Sequence, residues 1–452
     1  MQANRTKERG VAVLLGIVVL FLATTLTLYS CLAALDDQDL LRDSNDWKRN
    51  MVSLAQKMET NIKKVVKKEI RAAVAPRSNA KANNNKQLRT SSTVTKKEST
   101  GAKKRPNVLT HRQKFDRDHP EDVARTRKAV EALRIDIPST TPCPEDPPQG
   151  YPQQWSLVEL LDHWNPDNVT IPSTIYNGLC TIDYSTEADK ADRWRAAEVP
   201  FVLSNHPQVW QAAERWNTPG YLSKMIGPAP HRNEFAKQNN HFMFWRPGQT
   251  QHAPKDWEEP TEFVDLPFDQ WYEKALHMDA HPQVVDADRW YFRFNGNVGD
   301  ELYDELRIFD PVYNATLFMA EPEEQRGINC RFGMKGTIAE CHFDPTRNWI
   351  VVMRGQRRYI LSDPTQCSHL NLYPFAHPSQ RHSKVNWSDP NEYRDGLAQA
   401  QANEVVLQAG DALYLPTYWF HFIVTLNTNF QCNARSGMTL EYKDVVMNQC
   451  GL

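Results

Sequence analysis

Three residues of this 452-residue chain have the types and placing to hold a metal ion: His342, Asp344 and His421. His342 and Asp344 stand two apart in ECHFDPTRNWIVVMRG, residues 340–355. On a strand, positions i and i+2 project to one face, so both side chains can reach a common point. His421 lies in GDALYLPTYWFHFIV, residues 410–424. There Gly410-Asp411 reads as a turn, Ala412 to Leu415 as a short strand and Pro416-Thr417 as a break, and His421 opens a strand from Phe422 to Leu426.

Spacing alone does not make a site, and the chain carries its own control. His277-Met-Asp279 has the same spacing but follows FDQWYEKAL, residues 268–276, which has a helical pattern. Residues i and i+2 of a helix point about 200° apart and do not converge. Cys341 is of a zinc-ligand type, yet on a strand it points away from His342 and reads as a core residue. Two histidines and a carboxylate on one face of an ion leave three positions for exchangeable ligands, the arrangement used by non-haem Fe(II) oxygenases.

The surrounding motifs extend this. RGQRRYILSDP (354–364), GDALYLPTYWFH (410–421) and Asn433 in QCNARSG, taken with His342-Phe-Asp344, resemble the JmjC or cupin-like branch of the 2-oxoglutarate-dependent Fe(II) oxygenases. The likeness runs over roughly residues 196–440. It implies a double-stranded β-helix with His342 and Asp344 on one strand and His421 on another, holding Fe(II). It also implies 2-oxoglutarate and dioxygen as co-substrates, oxidative decarboxylation giving succinate and carbon dioxide while a C–H bond is oxidised. Relatives often bind the far carboxylate through a Lys fifteen residues after the first His; Arg357 stands there, and an Arg can grip a carboxylate through two parallel hydrogen bonds. Its neighbour Arg358 is the weaker candidate, since it would face the other side of the strand. Asn348 and Asn433 fall where relatives bond co-substrate or metal-bound groups, or else they are polar turn and strand-end residues. Ala339 stands where a Ser or Thr is common.

Elements consistent with that fold are legible independently. VPFVLSNHPQVWQAAERWNTPGYLSKMIG (199–227) reads as a strand followed by two helices, DRWYFRF (288–294) as a strand, and residues 337–434 as short strands with turns. The fold class is α+β, mainly β: a jelly-roll-like barrel with flanking helices filling residues 142–452.

The N-terminal part differs in composition. The 25 uncharged residues Val11 to Leu35 suffice to span a bilayer, with Arg5, Lys7 and Arg9 before them and Asp36, Asp37 and Asp39 after. The expected layout is a cytosolic tail (1–10), a transmembrane signal anchor (11–35), a helical stalk (36–74) able to pair two copies, and a flexible basic linker (75–141). A cleaved signal peptide is the alternative for the apolar run. Residues 60–106 carry fourteen Lys or Arg against Glu69 and Glu98, too polar to fold. Nucleic acid is not expected as a partner, given the inferred side of the membrane.

That orientation would make the remainder lumenal or extracellular, in the endoplasmic reticulum, Golgi or cell surface. Asn168, Asn314 and Asn386 would then be glycosylation acceptors. Seven cysteines follow the span, so at least one thiol stays outside any intrachain pairing; Cys143 with Cys180 is the expected bridge. Asp286-Ala-Asp288 also fits the acidic pair of a Golgi glycosyltransferase. The leading expectation is an oxygenase that hydroxylates a protein side chain or small molecule, and the alternative is a non-catalytic JmjC-like binding or chaperone domain.

Overall fold

The computed structural model describes residues 120–137, 141–148, 154–281, 287–297, 300–310, 317–440 and 443–451. The expected tail, anchor and stalk, Asn314 and Asp286 lie outside the described residues.

Among the described residues the strands are, in chain order, β1 (Trp155–Ser156), β2 (Thr181–Asp183), β3 (Phe201–Ser204), β4 (Pro230–Ala236), β5 (His241–Phe242), β6 (Glu262–Pro267), β7 (Arg289–Gly296) and β8 (Ile328–Gly333). They continue with β9 (Ile338–Phe343), β10 (Asn348–Arg354), β11 (Gln356–Ser362), β12 (Gln401–Gln408), β13 (Ala412–Leu415), β14 (Phe420–Thr425) and β15 (Asn429–Arg435). They form a nine-stranded sheet ordered β2-β3-β13-β10-β15-β8-β7-β4-β6 and a six-stranded sheet ordered β1-β12-β11-β14-β9-β5. This mainly β, jelly-roll architecture is the one expected.

Period-two alternation sorts the residues of each strand. On the nine-stranded sheet one face carries Phe292, Phe332, Phe430 and Trp349, which join Trp216 of helix Pro207–Asn217 and Trp271 of helix Phe268–Ala280 in the larger core. The disulfide Cys330–Cys432 joins neighbouring strands on that same face. The opposite face is polar: Asn329 and Arg331 on β8, Gln431, Asn433 and Arg435 on β15, and Asn348 on β10. A second core packs Phe343, Ile360 and Phe422 against helix Leu157–His163, with Cys341 fully buried in it.

Cys341 is the free thiol among the described residues. Cys143 bridges Cys180 as expected, and Cys367 bridges Cys450. The flexible linker is corrected at its C-terminal end: Pro120–Glu131 is a helix. Its Val130 is fully buried in the larger core, Thr126 Oγ1 donates to Glu214 at 2.5 Å, and just beyond it Arg134 pairs with Asp411 at 2.8 Å. Amphipathic spacing in PEDVARTRKAVE gives that helix a face to bury, which composition averaged over the whole stretch conceals. Asn168 and Asn386 are exposed, each side chain accepting from the backbone N–H two residues on.

Candidate metal centre

The two histidines face each other across a strand pair. His342 on β9 is opposite His421 on β14 in antiparallel register, with ring centroids 4.2 Å apart. Beyond that pair β9 carries one extra residue, a β-bulge, after which Ala339 opposes Ile423. The bulge returns Ala339 to the barrel side although it is three residues from His342, and leaves Cys341 on the outer side. Asp344 sits one residue past the end of β9 rather than on it. Its position is fixed by the Tyr418 N–H, which donates to the Asp344 carbonyl at 2.9 Å. Tyr418 adopts φ +64°, a costly conformation for a bulky residue, in the turn that delivers His421.

The ligand atoms of His342, Asp344 and His421 all lie within 4.8 Å of one another. Atoms bound to one ion at ~2.1 Å stand at most about 4.2 Å apart, so small side-chain rotations close the set. The ring orientation fits as well. His342 Nδ1–H donates to the Glu340 carbonyl at 2.7 Å and His421 Nδ1–H to the Trp419 carbonyl at 3.0 Å. A carbonyl only accepts, so both rings carry their hydrogen on Nδ1 and offer the lone pair on Nε2. Burial first, then neighbouring His421 and His382, holds His342 well below the usual histidine range, and burial likewise lowers His421. Both stay neutral, the form that binds metal.

Burial alone would raise the Asp344 carboxyl, but Arg435, then His421, His342 and Arg381, outweigh it and hold the group well below the carboxylate range. Arg435 Nη2 is 2.5 Å from Oδ2 and Arg381 Nη1 is 3.3 Å from Oδ1. Asn348 Nδ2 donates to Asp344 Oδ2 at 3.4 Å and Asn433 Nδ2 to Asn348 Oδ1 at 2.9 Å. Both asparagines therefore reach the triad through one chain of hydrogen bonds. His382 stacks on His342 with centroids 4.9 Å apart.

Arg357 is fully buried inside the barrel. Its Nη1 donates to the Tyr291 hydroxyl at 3.1 Å and to Gln431 Oε1 at 2.9 Å, and Nη2 to the Arg331 carbonyl at 3.1 Å. Its Nε–H has no partner, and among the described residues no carboxylate pairs with it. A buried cation with only neutral partners is costly, and an anion supplied from solution would relieve that cost. Arg358 faces the other way: it pairs with Glu404 at 2.6 Å, both fully buried, and bonds the Trp164 and Leu160 carbonyls.

The control pair behaves differently. His277 is exposed at the end of its helix, and Asp279 Oδ1 accepts the Thr428 N–H at 2.8 Å. Arg381, Arg435, His382, Tyr291 and Gln431 were not singled out from sequence. Period-two reading of NFQCNAR would have put Gln431 and Arg435 on the face of Asn433; the others come from distant segments and carry no such signal.

Residues 188–440 match the cupin-like domain family, and the chain belongs to it. Among its relatives is lysine-specific demethylase JMJ31 of Arabidopsis thaliana, 33% identical over 106 residues, covering 22% of this chain and 19% of that protein. Jumonji C domain-containing protein 5 of Drosophila melanogaster is 32% identical over 101 residues, 21% of this chain and 24% of that protein. The tRNA wybutosine-synthesizing protein 5 of Homo sapiens is 25% identical over 166 residues, 35% of this chain and 51% of that protein. The chain thus spans about half or less of the length of these curated relatives. JmjC proteins are as a family Fe(II)- and 2-oxoglutarate-dependent oxygenases, and the His-Asp-His triad they use is present here.

The expected membrane-anchored location is corrected. Among the described residues no helix is long and apolar enough to cross a membrane. Relatives include proteins named as lysine-specific demethylases and a tRNA wybutosine-synthesizing protein. Charge flanking an apolar run describes how such a run would insert, and does not establish that it does.

Proposed function

We propose that this protein is an Fe(II)- and 2-oxoglutarate-dependent oxygenase that hydroxylates a protein side chain or a small molecule. His342, Asp344 and His421 would hold the metal. Arg357, with the Tyr291 hydroxyl, would take the far carboxylate of 2-oxoglutarate, and Asn348 with Asn433 would fix the groups beside the metal. When bound, the metal would supply oxidising power from dioxygen, one oxygen atom going into succinate as 2-oxoglutarate loses carbon dioxide and the other to the substrate C–H. The chain's own residues orient the co-substrate, keep both imidazoles in the donor tautomer and line the cavity where a substrate C–H is presented.

The observation that carries this reading is the pairing of a convergent triad with a fully buried arginine that lacks a carboxylate partner, both on the barrel's interior face. Succinate formation by the purified chain, with Fe(II) and without it, is the direct test. Iron-dependent succinate is the expected result, and its absence with a suitable reductant present would overturn the reading.

A second reading has its own support. Arg435 and Arg381 each hold one oxygen of Asp344, so an incoming ion must share a carboxylate oxygen with a guanidinium or displace it. A chain in which those pairs exclude the ion would be a non-catalytic binding domain, and Fe(II) or Mn(II) binding measured directly separates the two.

A further inference from the structure

Guanidinium groups accumulate at the polar end of the barrel beyond what the triad requires. Arg293 on β7 lies directly opposite Arg331 on β8, and Arg331 directly opposite Gln431 on β15. Gln431 in turn bonds Arg357. Arg435 follows on the same face of β15, and Arg381 shares Asp344 with it. The Nε–H groups of Arg293, Arg381 and Arg435 are buried without a hydrogen-bond partner, as is that of Arg357.

The carboxylates that pair with these arginines are Asp344, shared by Arg381 and Arg435, and Glu234, which meets Arg293 at 2.5 Å. Arg331 pairs with no carboxylate among the described residues; its Nη1 donates to Asn295 Oδ1 at 3.2 Å and to the Cys330 carbonyl at 3.0 Å. Like charges opposed across a strand pair are destabilising. Here the barrel wall, then Arg293, lowers Arg331 to about 9, still charged at neutral pH. A metal ion at the triad would add more positive charge.

We propose that the substrate carries an oxyanion, a carboxylate or a phosphate, which docks on Arg331 and Arg293 beside the triad. The statement about substrate rests on the oxygenase reading; the anion site itself does not. Arg357 would be satisfied by the co-substrate, which leaves the Arg331–Arg293 pair for the second reactant. A guanidinium can meet an oxyanion through parallel hydrogen bonds; Arg331 Nη1 is already on Asn295 and Cys330 and Arg293 Nη2 on Glu234, so the anion takes the remaining N–H groups. Arg293 retains only 19% side-chain exposure, so the anionic group must be inserted into the barrel mouth and not merely laid against a surface.

The full chain, loaded with Mn(II) and saturated with 2-oxoglutarate, is titrated calorimetrically with inorganic phosphate and separately with L-aspartate. Binding of either supports the proposal, and the preferred probe identifies the oxyanion as phosphate or carboxylate. Arg331→Gln and Arg293→Gln should each weaken it about ten- to a hundredfold, Arg331→Lys should lose less than Arg331→Gln, and 2-oxoglutarate affinity should stay near parental. Lys128→Gln, on an exposed residue of helix Pro120–Glu131, should change nothing. Arg293→Lys, which keeps a cation on the buried Glu234 carboxylate but loses the planar fork, provides a variant that should fold if Arg331→Gln does not. No binding of either anion to the parent, undiminished binding in Arg293→Gln and Arg331→Gln, or an equal loss in Lys128→Gln would each overturn the proposal. Titrations repeated without 2-oxoglutarate keep the two readings apart: variant-sensitive anion binding in a chain that takes no 2-oxoglutarate would sink the oxygenase reading and leave the anion site standing.

Discussion

A Cβ on Gly333 would stand 2.8 Å from Nη2 of Arg357 and 2.5 Å from Oγ1 of Thr425, so the arginine's fork occupies space that only a glycine at this point of β8 leaves open. Gly333→Ala should therefore displace Arg357 without touching the triad. The expected outcome is 2-oxoglutarate binding weakened about tenfold or more, since a charge-assisted hydrogen bond is worth roughly 1.5–3 kcal/mol, with Mn(II) affinity unchanged. Arg357→Ala should give a loss at least as large. Calorimetric titration of the metal-loaded variants reads both, and an unchanged co-substrate affinity in Arg357→Ala would remove Arg357 from the site.

The triad is testable against the chain's internal control. His342→Ala, Asp344→Ala and His421→Ala should each sharply reduce Mn(II) binding followed by electron paramagnetic resonance, whereas His277→Ala should not. Asp279→Ala should also retain the metal but lose roughly 1–2 kcal/mol of stability, because it leaves the Thr428 N–H without its acceptor. Metal loss in the 277 and 279 variants would mean that the wrong His-x-Asp had been identified.

The triad was legible because each ligand lies within a short motif whose local pattern fixes its direction. His342 and Ala412 to Leu415 needed only strand alternation, and the Arg357/Arg358 division followed from the same rule. What alternation could not supply was the bulge in β9. It breaks the period and puts Ala339 and His342 on one side, while Asp344 separately falls one residue past the end of β9. Arg381 was invisible for a different reason. It reaches Asp344 from a loop, at φ +77°, and no local periodicity encodes a contact made across 37 residues. The helix Pro120–Glu131 was missed because the charge of the preceding stretch dominated the composition around it.

Arg358 was expected to matter little to co-substrate binding because it faces the other side of the strand, and that direction is right. The environment makes it structural instead. Its pair with Glu404 is fully buried, and Glu404 Oε1 also accepts the Tyr176 N–H at 2.8 Å. Arg358→Ala leaves a buried carboxylate unpaired and should cost about 3–5 kcal/mol in urea unfolding. Replacing both partners, Arg358→Met with Glu404→Leu, should recover much of the loss. In every variant that folds, 2-oxoglutarate affinity should remain parental. A stability change under about 1 kcal/mol for Arg358→Ala would show that water reaches Glu404.

His206 sets a pH dependence that does not involve the metal. It caps no backbone group at the start of helix Pro207–Asn217, and its Nδ1 is buried without a partner. Its ring lies 4.2 Å from Tyr184 and 5.1 Å from Phe318, centroid to centroid. Burial lowers it to about 3, against ~6.5 in an unfolded chain. Between those values the unfolded state binds a proton that the folded state refuses, so stability falls as pH drops, by up to about 1.4 kcal/mol per pH unit for this group. His382, also lowered to about 3, contributes in the same sense. His206→Phe should therefore reduce the slope of unfolding free energy against pH between about 3 and 6.5 without abolishing it. Urea unfolding at a series of pH values measures that slope; identical slopes in variant and parent would mean that His206 is protonated within the fold.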